Sequence, residues 1–158
     1  MTSYIDLFAE MLGEENLNFH FDKEHCVIYF TMSDGEFRLQ VRVRHEQGTK
    51  FFQVGIIYPS YVLPCNRNKA IIEISRANSQ IAAGGFEFNV KTGSIYFRNS
   101  VDVTGLTPSK EFFKDMYVIS LRTSIQFKNT FLPLTGYAST KTKMEEEDGE
   151  EDDEEFVE

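Results

Sequence analysis

The amino-acid sequence predicts an α+β domain with a largely antiparallel sheet and helices on one face. Three segments place apolar residues every three or four positions, which is typical of amphipathic helices. The other segments alternate apolar and polar residues and are joined by short glycine-containing turns, which favours antiparallel hairpins. The predicted order is one helix, three or four strands, a second helix, two strands and a last helix.

The first predicted helix lies at the amino terminus. Thr2 or Ser3 is expected to cap it, and Gly13 stands where a left-handed residue would end it. Its apolar stripe consists of Tyr4, Ile5, Phe8, Met11 and Leu12.

Alternating segments then predict strands. Phe19 and Phe21 alternate with polar neighbours, and Cys26 is expected to alternate inward with the apolar residues that follow it. Residues 33–36 (sequence SDGE) indicate a hairpin turn. Residues 37–44 have the clearest period of two, with apolar residues on one side and Arg38, Arg42 and Arg44 on the other. Residues 51–58 are apolar on both sides, which is typical of an interior strand or of a strand covered by a partner.

The second half of the domain is predicted to be a helix, a hairpin and a helix. The helix spans about 66–83, ends at Gly84-Gly85, and has an apolar stripe of Ala70, Ile71, Ile74, Ala77, Ile81 and Ala82. In the hairpin, Phe86, Phe88 and Val90 are expected to point inward. The last helix begins near Thr107-Pro108 and is apolar on more than one face. That apolar surface indicates either a thick monomer core or a homodimer interface.

Charge divides the chain into two parts. Of its 25 acidic residues, 11 lie in residues 145–158, and all 16 Lys and Arg precede that run. Residues 1–144 therefore carry 14 acids against 16 bases, a charge of +2, while the last fourteen positions carry −11. We predict one domain over residues 1–136 and a disordered acidic tail over residues 137–158.

The sequence favours a cytoplasmic protein. No run of about eighteen apolar residues could cross a membrane, and the amino terminus lacks the pattern of a secretory signal. Cys26 and Cys65 match no zinc or redox spacing, so both are expected to be reduced thiols.

The chain resembles the YbjN-like domain, a bacterial family also described as sensory transduction regulators, loosely over residues 1–130 and with the segment 70–98 as the core of the resemblance. The residues that carry the resemblance are the helix 70–78 ending in Asn78, the strand 85–88, the Thr92-Gly93 turn and the strand 95–98. The resemblance implies the fold of type III secretion chaperones, a homodimer, and a role in binding or regulation.

Two features suggest binding surfaces. Arg38, Arg42 and Arg44 share one strand face, and Arg98 joins them if the second hairpin shows the same side; they form either an anion-recognising surface or an ordinary solvated one. The tail is either plain solvated chain, a segment that folds back on the arginines, or a docking motif anchored by Phe156 and Val157.

The sequence contains no recognisable catalytic, metal-binding or cofactor-binding motif. His20, His25 and His45 lack zinc-ligand spacing, and no glycine-rich phosphate loop is present. The leading hypothesis is a non-enzymatic chaperone- or adaptor-like module that binds a protein segment as a homodimer. The alternative is a regulator that binds anions or nucleic acid through the arginines, with the tail as an internal competitor.

Overall fold

The computed structural model describes residues 3–137. In chain order the elements are α1 (Tyr4–Glu14), β1 (His20–Asp22), β2 (Val27–Asp34), β3 (Phe37–Arg44), β4 (Phe51–Tyr61), α2 (Arg67–Asn78), β5 (Gly85–Phe88), β6 (Ser94–Asp102), α3 (Lys110–Gln126) and α4 (Lys128–Phe131). The strands form one six-stranded sheet in the order β1-β2-β3-β4-β6-β5, antiparallel throughout. The predicted fold class is confirmed, with four strands before α2.

The helices pack on one face of this sheet. α3 lies against β4 and β6, and α1 lies against β2 and α3. The inward side chains of β3 are Phe37, Leu39, Val41 and Val43, each 5% exposed or less. At the β2–β3 hairpin, Gly35 supplies the φ of 62° that the tight turn requires.

Aromatic side chains fill the space between the sheet and the helices. The rings of Phe52 and Phe113 have centroids 4.2 Å apart, so β4 packs directly on α3. The buried Tyr58 hydroxyl donates a hydrogen bond of 2.6 Å to the carbonyl oxygen of Ser124, which fixes α3 against the same strand. Burial raises the pKa of that hydroxyl far above its usual range.

Several predicted element ends are wrong. α1 continues through Gly13, and Asn16 takes the left-handed conformation with a φ of 56°. α2 ends at Asn78 rather than near residue 83. Gly84 instead allows the chain to pass close to β6, because a Cβ at this position would lie 2.7 Å from the carbonyl oxygen of Arg98. α3 begins later than predicted, because the Ser109 hydroxyl caps it by accepting from the Phe112 N–H.

Three residues predicted to point inward are exposed, namely Ile71, Ala82 and Val90, and a fourth, Cys26, packs against the core without being fully buried. Cys26 lies in the turn before β2 with a φ of 54° and is partly buried. Ile71 is 49% exposed, because only Ala70, Ile74 and Ala77 of α2 face the sheet. Val90 is 58% exposed, since it lies in the turn between β5 and β6.

The end of the described chain packs on the domain. The ring of Tyr137 makes an edge contact with Phe37, with centroids 6.0 Å apart, so packing extends one residue beyond the predicted boundary at 136. The predicted disordered tail otherwise falls on residues 138–158, which lie outside the described residues. Within residues 3–137, no helix has both the length and the apolar character needed to cross a membrane.

Candidate anion-binding site on the open face of the sheet

The outward face of the sheet carries the predicted arginines. The β-sheet register aligns Arg42 of β3 with Gly55 of β4 and Arg98 of β6, in one row across three strands. Because neighbouring strands lie about 4.8 Å apart, the Cα atoms of the two arginines are about 10 Å apart. Arg44 lies two positions along β3 from Arg42 and points the same way, as alternation requires.

A shallow depression opens over Gly55. Since Gly55 has no side chain, the space between Arg42 and Arg98 is left empty, and its volume is about 310 Å³. We call this depression the Arg cleft. Its lining residues are Arg42, Arg44, Gln53, Gly55, Ile57, Ser94, Tyr96 and Arg98.

The charges of the Arg cleft are only partly compensated. Glu87 of β5 forms an ion pair with Arg98. A hydrogen bond with the Glu87 carboxylate also raises the pKa of the Tyr96 hydroxyl. Arg42 and Arg44 are exposed and form no ion pair with any residue in the described range 3–137. Their guanidinium groups are therefore available to an anionic ligand, which they could bind through paired hydrogen bonds.

Apolar surface adjoins these charges. Ile57 and Tyr96 are partly buried in the cleft lining. Tyr29 is the direct cross-strand neighbour of Arg42, and its ring stacks on His20 with centroids 6.5 Å apart. The surface can therefore contact apolar groups of a ligand as well as its charges.

Arg38 does not join the other three arginines. It lies four positions before Arg42, about 13 Å along the strand. It lines a second depression of about 410 Å³ with Tyr61 and Pro59. The two depressions share Ile57 and Ser94, so they form one continuous surface. Of the other predicted site residues, Phe156 and Val157 lie outside the described residues.

The free edge of β5 is closed by a side chain of α2. The Asn78 amide oxygen accepts from the Phe86 N–H at 2.8 Å, and its amide nitrogen donates to the Phe86 carbonyl at 3.1 Å. These are the backbone groups that an added strand would need. At the other edge, β1 has three residues. The geometry therefore disfavours partner binding by strand addition at β5.

The histidines of the described residues are not gathered into a metal site. In the range 3–137, no three His, Cys, Asp or Glu side chains lie together as metal ligands would. The His25 ring bonds the Asp22 carboxylate at 2.8 Å, and this contact lowers the pKa of Asp22. His45 is buried against Phe52, and its Nδ1 atom has no hydrogen-bond partner there.

Sequence reasoning found the arginines but missed the residues that shape the cleft. Gly55 carries a usable signal, because a glycine inside a strand often marks a close approach or an open space. The ion pair between Glu87 and Arg98 can be inferred only once the β5–β6 register is known. That register pairs Glu87 with Tyr96, two positions from Arg98 on the same strand.

The fold is similar to that of a solved structure. No protein-family model matches the chain, and no curated protein sequence matches it. The crystal structure of YbjN from E. coli, described as a candidate transcription regulator, superposes with a TM-score of 0.63 at 9% identity. The superposition covers 85% of this chain and 97% of YbjN. At that identity the likeness establishes the fold alone, and the chain has a YbjN-like fold.

Proposed function

We propose that this protein is a non-enzymatic regulatory adaptor whose Arg cleft binds an acidic segment of a partner protein. The observation that carries the proposal is the row formed by Arg42, Gly55 and Arg98 on a face that no described helix covers. Two guanidinium groups flank an empty position, and this arrangement suits a carboxylate placed between them.

A protein segment fits this surface better than nucleic acid does. Residues 1–144 carry a net charge of only +2, whereas nucleic-acid-binding domains are strongly basic. The Tyr96 hydroxyl is bonded to Glu87, which limits how freely its ring could turn to stack on a base.

The test is a binding measurement with a defined probe. A fluorescein-labelled acidic peptide with one central Phe is titrated with the full chain, and fluorescence anisotropy is recorded. Arg42→Gln should weaken binding by about tenfold or more, because a hydrogen bond to a charged group contributes about 1.5–3 kcal/mol. Gly55→Leu should weaken it too, since the new side chain fills the cleft without changing any charge.

The control is Arg122→Gln. Arg122 is an exposed arginine of α3, on the helix side of the sheet, and its removal changes the total charge equally. Equal losses in Arg42→Gln and Arg122→Gln would contradict a defined site. Tighter binding to a labelled oligothymidine, with a steep salt dependence, would favour the nucleic-acid alternative.

A homodimer is part of this proposal. α3 leaves Phe112 and Ile119 37% and 48% exposed, and α2 leaves Ile72 53% exposed, so apolar surface is available to a second copy. A stable pair needs about 800 Å² buried on each partner. Light scattering should give twice the chain mass of 18.3 kDa. A single-chain mass at all protein concentrations would contradict the homodimer.

A further inference from the structure

The acidic run at residues 145–158 and the Arg cleft are complementary in charge. The run carries eleven carboxylates within fourteen residues, and it follows every basic residue of the chain. Arg42 and Arg44 lack ion pairs within residues 3–137. We propose that residues 145–158 bind the Arg cleft of their own chain and compete there with the partner. This inference rests on the proposed function, because it concerns the same site.

The chain leaves the domain at the end of β4, where Tyr137 packs on the inward residue Phe37, so it must pass around the end of the sheet to reach the open face. Gly136 donates a hydrogen bond to the carbonyl oxygen of Tyr61 at 3.3 Å, so the described chain ends beside the last residue of β4. Gly55 lies six positions back along the same strand, about 20 Å away. Residues 138–144 number seven, and an extended chain covers about 3.3–3.6 Å per residue, about 24 Å in total. Since part of this length is used in passing around the end of the sheet, the acidic run reaches the cleft within its first few residues.

The route between the two points is also basic. Tyr61 and Arg38 line the second depression, which adjoins the Arg cleft through Ile57 and Ser94. A chain crossing from Tyr61 to Gly55 passes over Arg38. The acidic run is longer than the cleft, so Phe156 can contact the apolar lining at Ile57 when the run turns back over the cleft.

Tethering makes even a weak contact effective. A segment joined by a short linker has an effective concentration in the millimolar range. A contact with a Kd of about 0.1 mM would then occupy the cleft in roughly nine of ten molecules. A partner would bind about tenfold more weakly than to the open cleft.

The test uses the natural absence of tryptophan from the chain. Phe156→Trp in the full chain places one indole in the acidic run, and its emission wavelength and iodide quenching are measured. We expect a blue-shifted, protected indole at low salt and an exposed one near 1 M NaCl, where charges are screened within about 3 Å. Adding Arg42→Gln and Arg98→Gln should expose the indole at all salt concentrations, whereas adding Arg122→Gln should not.

A second measurement separates this inference from the proposed function. Replacing all eleven carboxylates of residues 145–158 by their amides keeps the length of the chain. This variant should bind the acidic peptide about tenfold more tightly than the natural chain. An exposed indole with unchanged peptide affinity would overturn the intramolecular contact and leave the partner site intact. Protection that rises with protein concentration would also overturn it, because the tail of a second copy would then be the occupant.

Discussion

The two faces of the sheet differ in which charged side chains form ion pairs. On the helix side, three lysines are paired: Lys110 lies 2.5 Å from Glu14, Lys128 lies 2.6 Å from Asp34, and Lys114 pairs with Glu15. On the open face, Arg42 and Arg44 have no such partner among residues 3–137. The difference indicates that these lysines join elements of the fold, whereas Arg42 and Arg44 are left to the anionic ligand that we propose.

A single strand shows the same division. Val41 and Val43 of β3 are fully buried under the helices, and the alternate Arg42 and Arg44 are exposed. Burial of an apolar side chain contributes about 1.5–3 kcal/mol, whereas an exposed arginine contributes little to stability. Mutations on the two faces should therefore separate stability from binding.

The largest effect is expected from the buried face. Phe52→Ala removes a fully buried ring that packs on Phe113, and it should lower the free energy of unfolding by about 3–5 kcal/mol. Arg42→Ala, on the neighbouring strand but the other face, should change it by less than about 0.5 kcal/mol. Urea unfolding followed by circular dichroism measures both. A comparable loss of stability in Arg42→Ala would contradict the division between the faces.

An intermediate effect is expected at the edge where the two faces meet. Asn78→Ala leaves the Phe86 N–H and carbonyl without their side-chain partner, so stability should fall by about 1–3 kcal/mol. The exposed edge should also promote association, measured by light scattering. Asn68→Ala is the control, because Asn68 is an exposed residue of the same helix. Unchanged stability in Asn78→Ala would show that water replaces the amide without loss.

The smallest effect is expected from a helix-side ion pair. The hydrogen bond from Lys114 lowers the pKa of Glu15, and a second bond from the Tyr117 hydroxyl acts in the same direction. A lowered folded-state pKa means that the stabilisation is present above the ordinary Glu value of about 4.3 and is lost as pH falls below it.

Glu15→Gln should therefore cost about 0.2–1 kcal/mol at pH 7, and the difference from the natural chain should shrink below about pH 4. Thermal unfolding across pH 3–7 measures this. Glu46→Gln is the matched control, since Glu46 is exposed in a turn and forms no ion pair within the described residues. A pH-independent difference for Glu15→Gln would show that the charge of Glu15 is not the cause.

The sequence predicts the sheet better than it predicts the site. β3 is evident because each alternate residue is either buried or solvated, so the pattern reports the environment directly. The end of α2 was missed because Ile81 and Ala82 continue the helical spacing after the chain has left the helix, and Ile81 still packs on the core. β4 also continues past residue 58, because Pro59 lies where the register with β6 shifts.

The Arg cleft depends on register, which local patterns do not contain. Arg42 and Arg98 are 56 positions apart in the sequence and meet only because Gly55 pairs with both. The Glu87 contact likewise requires the β5–β6 pairing. Side-chain type and facing direction were therefore predictable, and the assembly across three strands was not.

Gly55 also bears on how such a protein can diverge. A Cβ at this position would meet its nearest atoms, the carbonyl oxygens of Arg42 and Phe97, at 3.7 and 3.9 Å, which are ordinary contact distances. Small residues such as Ala or Ser can therefore replace Gly55 without backbone strain, and each would make the Arg cleft shallower. Homologues could change the ligand they accept through this one codon while their folding remains intact.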